Sequence, residues 1–139
     1  DIRKKFYGWI KANELDEANI FAPIATIAAF TKGEEWRKSM LTYIEDNVRF
    51  VEEYCEKNIP QIHPLRPQAS FLIWLNCREL NLDHKDLLDL FIDKAHLALN
   101  DGEMFGQGGE GFMRMNIATP RSVIKQALDQ LATAVNNLK

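Results

Sequence analysis

Very little in this chain announces chemistry. Two cysteines, Cys55 and Cys77, stand apart and form no CxxC or Cys/His cluster. That argues against a disulfide scaffold or a zinc module; buried free thiols in a reducing, cytoplasmic setting are expected. Three histidines, His63, His84 and His96, lack HxxxH or HExxH spacing, and no Asp/Glu pair completes a metal set. There is no lysine/arginine block, the net charge is −3 and the pI is near 5.6. A nucleic acid or an anionic membrane surface is therefore a poor partner. The longest apolar stretch, "FAPIATIAAF" at 21–30, falls far short of the roughly 20 residues of a spanning helix. No charged-then-apolar start with a cleavage site is visible. Glycine is scarce except between 102 and 111, where five of the seven fall. No repeat or low-complexity segment occurs.

What is present is ordinary globular material. The 139 residues, 46% hydrophobic and 27% charged, suffice for a real core. The chain begins at Asp1 inside a helical-looking "DIRKKFYGWIKA", which reads as a piece of something longer. Two helices are expected at about 1–12 and 20–30, separated by polar "NELDEAN". The second is apolar all round (Phe21, Ile24, Ala25, Ile27, Ala28, Ala29, Phe30), the pattern of a helix buried on several sides. A stub that short calls for a partner surface.

After Gly33 the spacing of Trp36, Met40, Tyr43, Ile44, Val48, Val51, Tyr54 and Cys55 predicts a long amphipathic helix from Glu34 to about Lys57. Pro60, Pro64 and Pro67 favour extended backbone with a short edge strand near 61–65. "SFLIWLNC" (70–77) reads as a central strand covered on both faces. Asp83 is placed to cap a helix burying Leu87, Leu88, Phe91, Ile92 and Ala95. "HLAL" (96–99) reads as a strand ending in a turn at Asn100-Asp101-Gly102. "FMRMNIA" (112–118) is the last strand. Thr119 and Pro120 stand where an N-cap and a first-turn proline belong. A closing helix follows, with Val123, Ile124, Ala127, Leu128, Leu131, Ala134, Val135 and Leu138 as its buried stripe. The class is α+β: a small, mostly antiparallel sheet packed by helices on one face.

Alternation in the last strand sends Met113, Met115 and Ile117 toward the helices and leaves Phe112, Arg114 and Asn116 opposite. Arg114 is then either a solvated surface residue or a carboxylate clamp. Its planar fork can grip a carboxylate with two hydrogen bonds and keeps its charge at neutral pH. Phe112 and Trp74 are the expected apolar flanks.

Two apparent motifs carry no function. "GQGGEG" (106–111) matches GxGxxG, but a strand follows it where a dinucleotide site needs a helix. A mobile hairpin-like loop or lid is the expectation. "SVIK" (122–125) matches SxxK without its companion elements.

The segments "NIFAPIATIAAFTKGEEW" (19–36), "PQASFLIWLNCREL" (67–80) and "LALNDGEMFGQGGEGFMRMNIATPRSVIKQAL" (97–128) together resemble fold-type I pyridoxal-phosphate enzymes. The resemblance is to class I/II aminotransferases and their cystathionine β-lyase-like (C–S lyase) relatives, and it spans nearly the whole chain. It implies that residues 1–33 are the end of a large cofactor-binding domain and 34–139 the C-terminal small domain. In that family the arginine of the last motif binds the substrate's α-carboxylate, and Arg114 is the matching position. The resemblance also implies that the Schiff-base lysine and the pyridoxal 5'-phosphate site lie in a preceding large domain. None of the lysines here sits in a matching motif. The implied whole is a cytoplasmic homodimeric enzyme acting on amino acids; this portion alone would bind no cofactor and turn nothing over. Aminotransferase and β-lyase chemistry both remain open. So does a stand-alone, non-catalytic module in which Arg114 holds an amino-acid or peptide carboxylate.

Overall fold

The computed structural model describes residues 1–17 and 19–138; Ala18, within "NELDEAN", and Lys139 lie outside the described residues. The chain divides into two compact units, Asp1–Met40 and Leu41–Lys139.

In the first unit, α1 (Ile2–Ala12) starts at Asp1, whose carboxylate accepts the Arg3 backbone N–H at 3.0 Å. The second helix, α2 (Phe21–Lys32), is entered through Asn19, whose Oδ1 accepts the N–H groups of Phe21 and Ala22. It stops at Gly33, where an added Cβ would lie 2.4 Å from the Ala29 carbonyl oxygen. No residue of α1 or α2 is buried. Trp9 is 60% exposed and Phe30 88%, so among the described residues of this unit the burial expected for the apolar helix is not found.

The second unit takes in most of α3 (Glu34–Asn58), then β1 (His63–Leu65), β2 (Leu72–Asn76), α4 (His84–Asp89), β3 (Asn100–Asp101), β4 (Phe112–Asn116) and α5 (Arg121–Asn136). The four strands form one antiparallel sheet in the order β1-β2-β4-β3. One face is the core. Ile73, Leu75, Met113, Met115 and Ile117 are buried there with Val48, Val51 and Cys55 of α3 and Ile124, Leu128 and Leu131 of α5. Fully burying such side chains stabilises by roughly 1.5–3 kcal/mol each before chain entropy is charged. The alternation of β4 is as the sequence predicts, but the helix stripes are buried only in part: Trp36 and Tyr43 of α3 are 70% and 45% exposed, and Val123 of α5 is 50% exposed.

Four local expectations are corrected. The third strand is Asn100–Asp101, not 96–99: His96 has φ +55, and the Leu97 N–H is spent on the Phe91 carbonyl at 2.7 Å. That bend keeps 96–99 off the sheet. Second, α4 opens into a wide turn at Leu90–Lys94, with the Ala95 N–H bonded five residues back to Leu90. The widened turn shifts the helical phase, so Leu87, Leu90, Phe91 and Ala95 are buried while Ile92 is 52% exposed. Asp83 does cap α4, accepting the Asp86 N–H at 2.8 Å.

Third, β2 is central but buried on one face only; its other side, including Trp74, is half-buried. Fourth, α5 begins at Arg121 with no side-chain cap from Thr119 or Pro120. The hydroxyl of Tyr43 accepts the Arg121 N–H at 2.8 Å instead, and the Thr119 carbonyl accepts from the buried amide of Asn47.

Candidate functional site

The face of the sheet away from the helices carries one cross-strand row: Leu65 on β1, Trp74 on β2, Arg114 on β4 and Asn100 on β3. Arg114 therefore sits between a large aromatic and a neutral amide. Its Nη2 donates to Asn100 Oδ1 at 3.0 Å. The guanidinium carbon lies 4.3 Å from the centre of the Phe105 ring, close enough for a cation–π contact. Its Nε is buried and has no hydrogen-bond partner. Among the described residues no carboxylate pairs with Arg114.

The aromatic expectation is half met. Trp74 is the direct cross-strand neighbour of Arg114, but the ring over the guanidinium belongs to Phe105. Phe112 instead lies under Arg78, whose guanidinium carbon is 4.6 Å from its ring centre. Trp74 meets both Phe105 and Phe112 edge-on, with centroids 5.3 and 6.2 Å apart. These three rings, Leu65 and the glycine loop line an open recess of about 290 Å³. A second recess, of about 220 Å³, lies on the Asn100–Arg114–Asn116 side, bounded by Thr119 and Val123.

Phe105 reaches Arg114 because of backbone packing in the glycine-rich segment. The Gly102 N–H bonds the Phe112 carbonyl at 2.9 Å. A Cβ on Gly102 would lie 2.2 Å from the Gly109 carbonyl oxygen, and one on Gly109 would lie 2.0 Å from that of Gly102. Only paired glycines allow this approach, which folds the short turn Glu103–Phe105 onto the open face. Arg78 pins the other side of the loop, donating to the carbonyls of Glu110 at 3.0 Å and Gly108 at 3.3 Å. His84 borders the turn, with Nδ1 3.0 Å from a Glu103 oxygen and Nε2 3.5 Å from an Asp101 oxygen.

The dismissed motifs stay dismissed. "GQGGEG" runs directly into β4. Lys125 of the SxxK match pairs with Asp129 at 2.7 Å. Among the described residues no group of His, Cys, Asp or Glu is arranged to hold a metal, and no helix is long and apolar enough to cross a membrane. Both cysteines are buried and free, and burial pushes each thiol up to about 12. Asn100, Phe105 and Arg78 escape a reading by alternation: Asn100 lies in a two-residue strand, and Phe105 and Arg78 lie in single helical turns. The sequence signal for Asn100 and Phe105 is the turn-forming "NDG" next to the glycine cluster.

An α+β two-layer domain of this kind is the architecture of aminotransferase-fold proteins, and the comparisons agree. No protein-family profile matches the chain. It is 33% identical over 134 residues to cystathionine β-lyase PatB of Bacillus subtilis, covering 96% of this chain and 35% of PatB. A pyridoxal-phosphate-bound protein of Clostridium difficile 630, described as an aminotransferase, superposes with a TM-score of 0.90 at 33% identity, over 96% of this chain and 35% of that one. The pyridoxal-phosphate-bound C–S lyase of Staphylococcus hominis gives 0.79 at 31% identity, over 91% and 35%. Over nearly its whole length the chain is similar to cystathionine β-lyase and C–S lyase proteins of the aminotransferase fold, and it corresponds to the C-terminal part of those proteins. It spans about a third of the length of the curated relatives it matches.

Proposed function

We propose that this chain is the substrate-carboxylate-binding domain of a pyridoxal-phosphate-dependent C–S β-lyase, with Arg114 as the residue that grips the amino acid's α-carboxylate. One observation carries the reading. Arg114 is a fixed cation on a strand, with one donor given to a neutral amide, an orphaned Nε and, among the described residues, no counter-ion. A buried donor without an acceptor costs about 1–3 kcal/mol, and an incoming carboxylate offers two oxygens to such a fork. Held in this way, the carboxylate orients Cα, and closing the face around it excludes water. The lyase reading is preferred to the aminotransferase one because relatives matched over nearly the whole chain carry cystathionine β-lyase and C–S lyase names. A β-thioether amino acid is the proposed substrate class.

Among the described residues no lysine lines the recesses beside Arg114. The residues present therefore do not fit the cofactor, and none is assigned to it. In this reading pyridoxal phosphate is held by the part of the protein outside this chain. Residues 1–33 are proposed to be the end of that part, consistent with the exposure of Trp9, Phe21 and Phe30. A homodimeric, cytoplasmic whole is proposed on the resemblance alone.

The test is Arg114→Ala in the full-length protein. Losing a charge-assisted contact worth about 1.5–3 kcal/mol lowers kcat/KM roughly 10- to 150-fold, while the absorption spectrum of the bound cofactor is retained. Wild-type kinetics in that variant remove Arg114 from the site.

A further inference from the structure

We infer that Asn100 and Phe105 are positioning residues that keep Arg114 both oriented and electrically unpaired, so that its charge is available to a carboxylate ligand. The inference rests on the reading of Arg114 given above and assigns roles to two residues beyond it.

Asn100 faces Arg114 directly across the β3–β4 pairing. Its Oδ1 takes one Nη2 hydrogen at 3.0 Å, which fixes the rotation of the guanidinium plane. An amide does this without cancelling the charge. An aspartate at the same position would form an ion pair in place and compete with any ligand for the fork. The chemistry at this position is therefore selective: it needs an acceptor, and the acceptor has to be neutral.

Phe105 supplies the second restraint. Its ring covers one face of the guanidinium at 4.3 Å, which limits out-of-plane motion and shields that face from water. It favours the cation without consuming any N–H donor. With Nη2 partly committed and one face covered, Nε is left buried and unpartnered. Nε and Nη2 share one edge of the planar group, so a carboxylate approaching that edge can satisfy the orphan and a remaining Nη2 hydrogen together.

Phe105 comes from the turn that Gly102 and Gly109 press onto the sheet, and Asn100 from the short strand just before it. Arg78 and His84 hold the two sides of that segment. The glycine-rich loop thus has a mechanical role: it carries the ring that shapes the arginine.

The experiment uses the full-length, cofactor-loaded protein and two readouts. One is KM against kcat for a reacting amino acid. The other is the Kd for α-methylalanine, which has no α-proton to lose, from titration of the cofactor absorbance. Asn100→Asp is expected to raise KM and Kd at least tenfold with kcat within about twofold, and Asn100→Ser to raise them much less. Phe105→Leu is expected to raise both roughly 2- to 30-fold, with Phe105→Tyr close to wild type. Unchanged KM and Kd in Asn100→Asp and Phe105→Leu, with Arg114→Ala still impaired, overturn this inference and leave the carboxylate assignment standing. A loss confined to kcat overturns it as well, because a positioning role acts on ligand affinity. Wild-type affinity in Arg114→Ala removes both.

Discussion

Asn47 and Arg121, 74 residues apart, are joined where the last strand turns into the closing helix: Asn47 Oδ1 accepts Arg121 Nε at 2.7 Å. The same buried amide donates to the carbonyls of Ile117 at 2.9 Å and Thr119 at 3.1 Å. Arg121 in turn lies over the Phe50 ring at 4.6 Å. One side chain of α3 thereby satisfies the backbone of the β4–α5 connection, which no regular secondary structure can do.

Asn47→Ala is therefore expected to cost about 2–4 kcal/mol, since it orphans two carbonyls and a guanidinium nitrogen. Urea denaturation of the chain measures it. A change under about 0.5 kcal/mol would mean that water replaces the amide fully and the network contributes nothing.

The glycine segment separates two kinds of glycine. Gly109 has an ordinary φ but no room, its hypothetical Cβ meeting backbone at 2.0 Å; Gly108 has φ +93 and open space. Gly109→Ala is expected to destabilise by more than about 2 kcal/mol and to displace Phe105. Gly108→Ala pays only the left-handed backbone penalty, roughly 1–2 kcal/mol. Thermal melts of the two variants rank them, and the opposite order contradicts the packing account.

Arg114→Lys keeps the charge and loses the fork. In the full-length protein it should recover less than a tenth of the wild-type kcat/KM, because a point charge cannot reproduce the two-pronged contact. This chain by itself should bind amino acids only at millimolar concentration or weaker, given one such contact. Micromolar binding by calorimetry would favour the stand-alone module over the enzyme domain.

Alkaline stability follows from the thiols. Cys55 and Cys77 rise from 9.0 to about 12 on burial, and Tyr54 rises from 10.0 to about 12 through burial and its bond to Asp129. Above pH 9 the unfolded thiols lose protons that the folded ones keep, so the folded state binds more protons and stability falls as pH rises. The loss should run from about pH 9 to about pH 12. Denaturation midpoints across that window test it, and Cys55→Ala with Cys77→Ala should flatten the slope. Thiol reagents at pH 8 should leave both cysteines unmodified in the folded chain.

Periodicity made much of this molecule legible. The stripe from Trp36 to Cys55 marks α3, and the alternation Met113–Met115–Ile117 assigns Arg114 to the opposite face, because apolar burial has the same period as the backbone that performs it. The likeness of three segments to a known family named Arg114 as the residue to watch. The partners of Arg114 were not legible in this way. Asn100 was read as part of a turn and proved to be in a strand, since the bend at His96 and the Gly102–Phe112 bond decide which residues reach β4. Phe105 sits on a turn whose position depends on two glycines seven residues apart in the chain.

The amino-acid order alone determined the helices, the central strands and the face on which the cation stands, all of them local consequences of spacing and side-chain type. The three-dimensional arrangement decided what surrounds that cation: a neutral amide across the strand, a ring above it and an unfilled donor beneath. Those contacts join residues brought together by backbone hydrogen bonds and close packing between distant segments, and no local pattern encodes such distances.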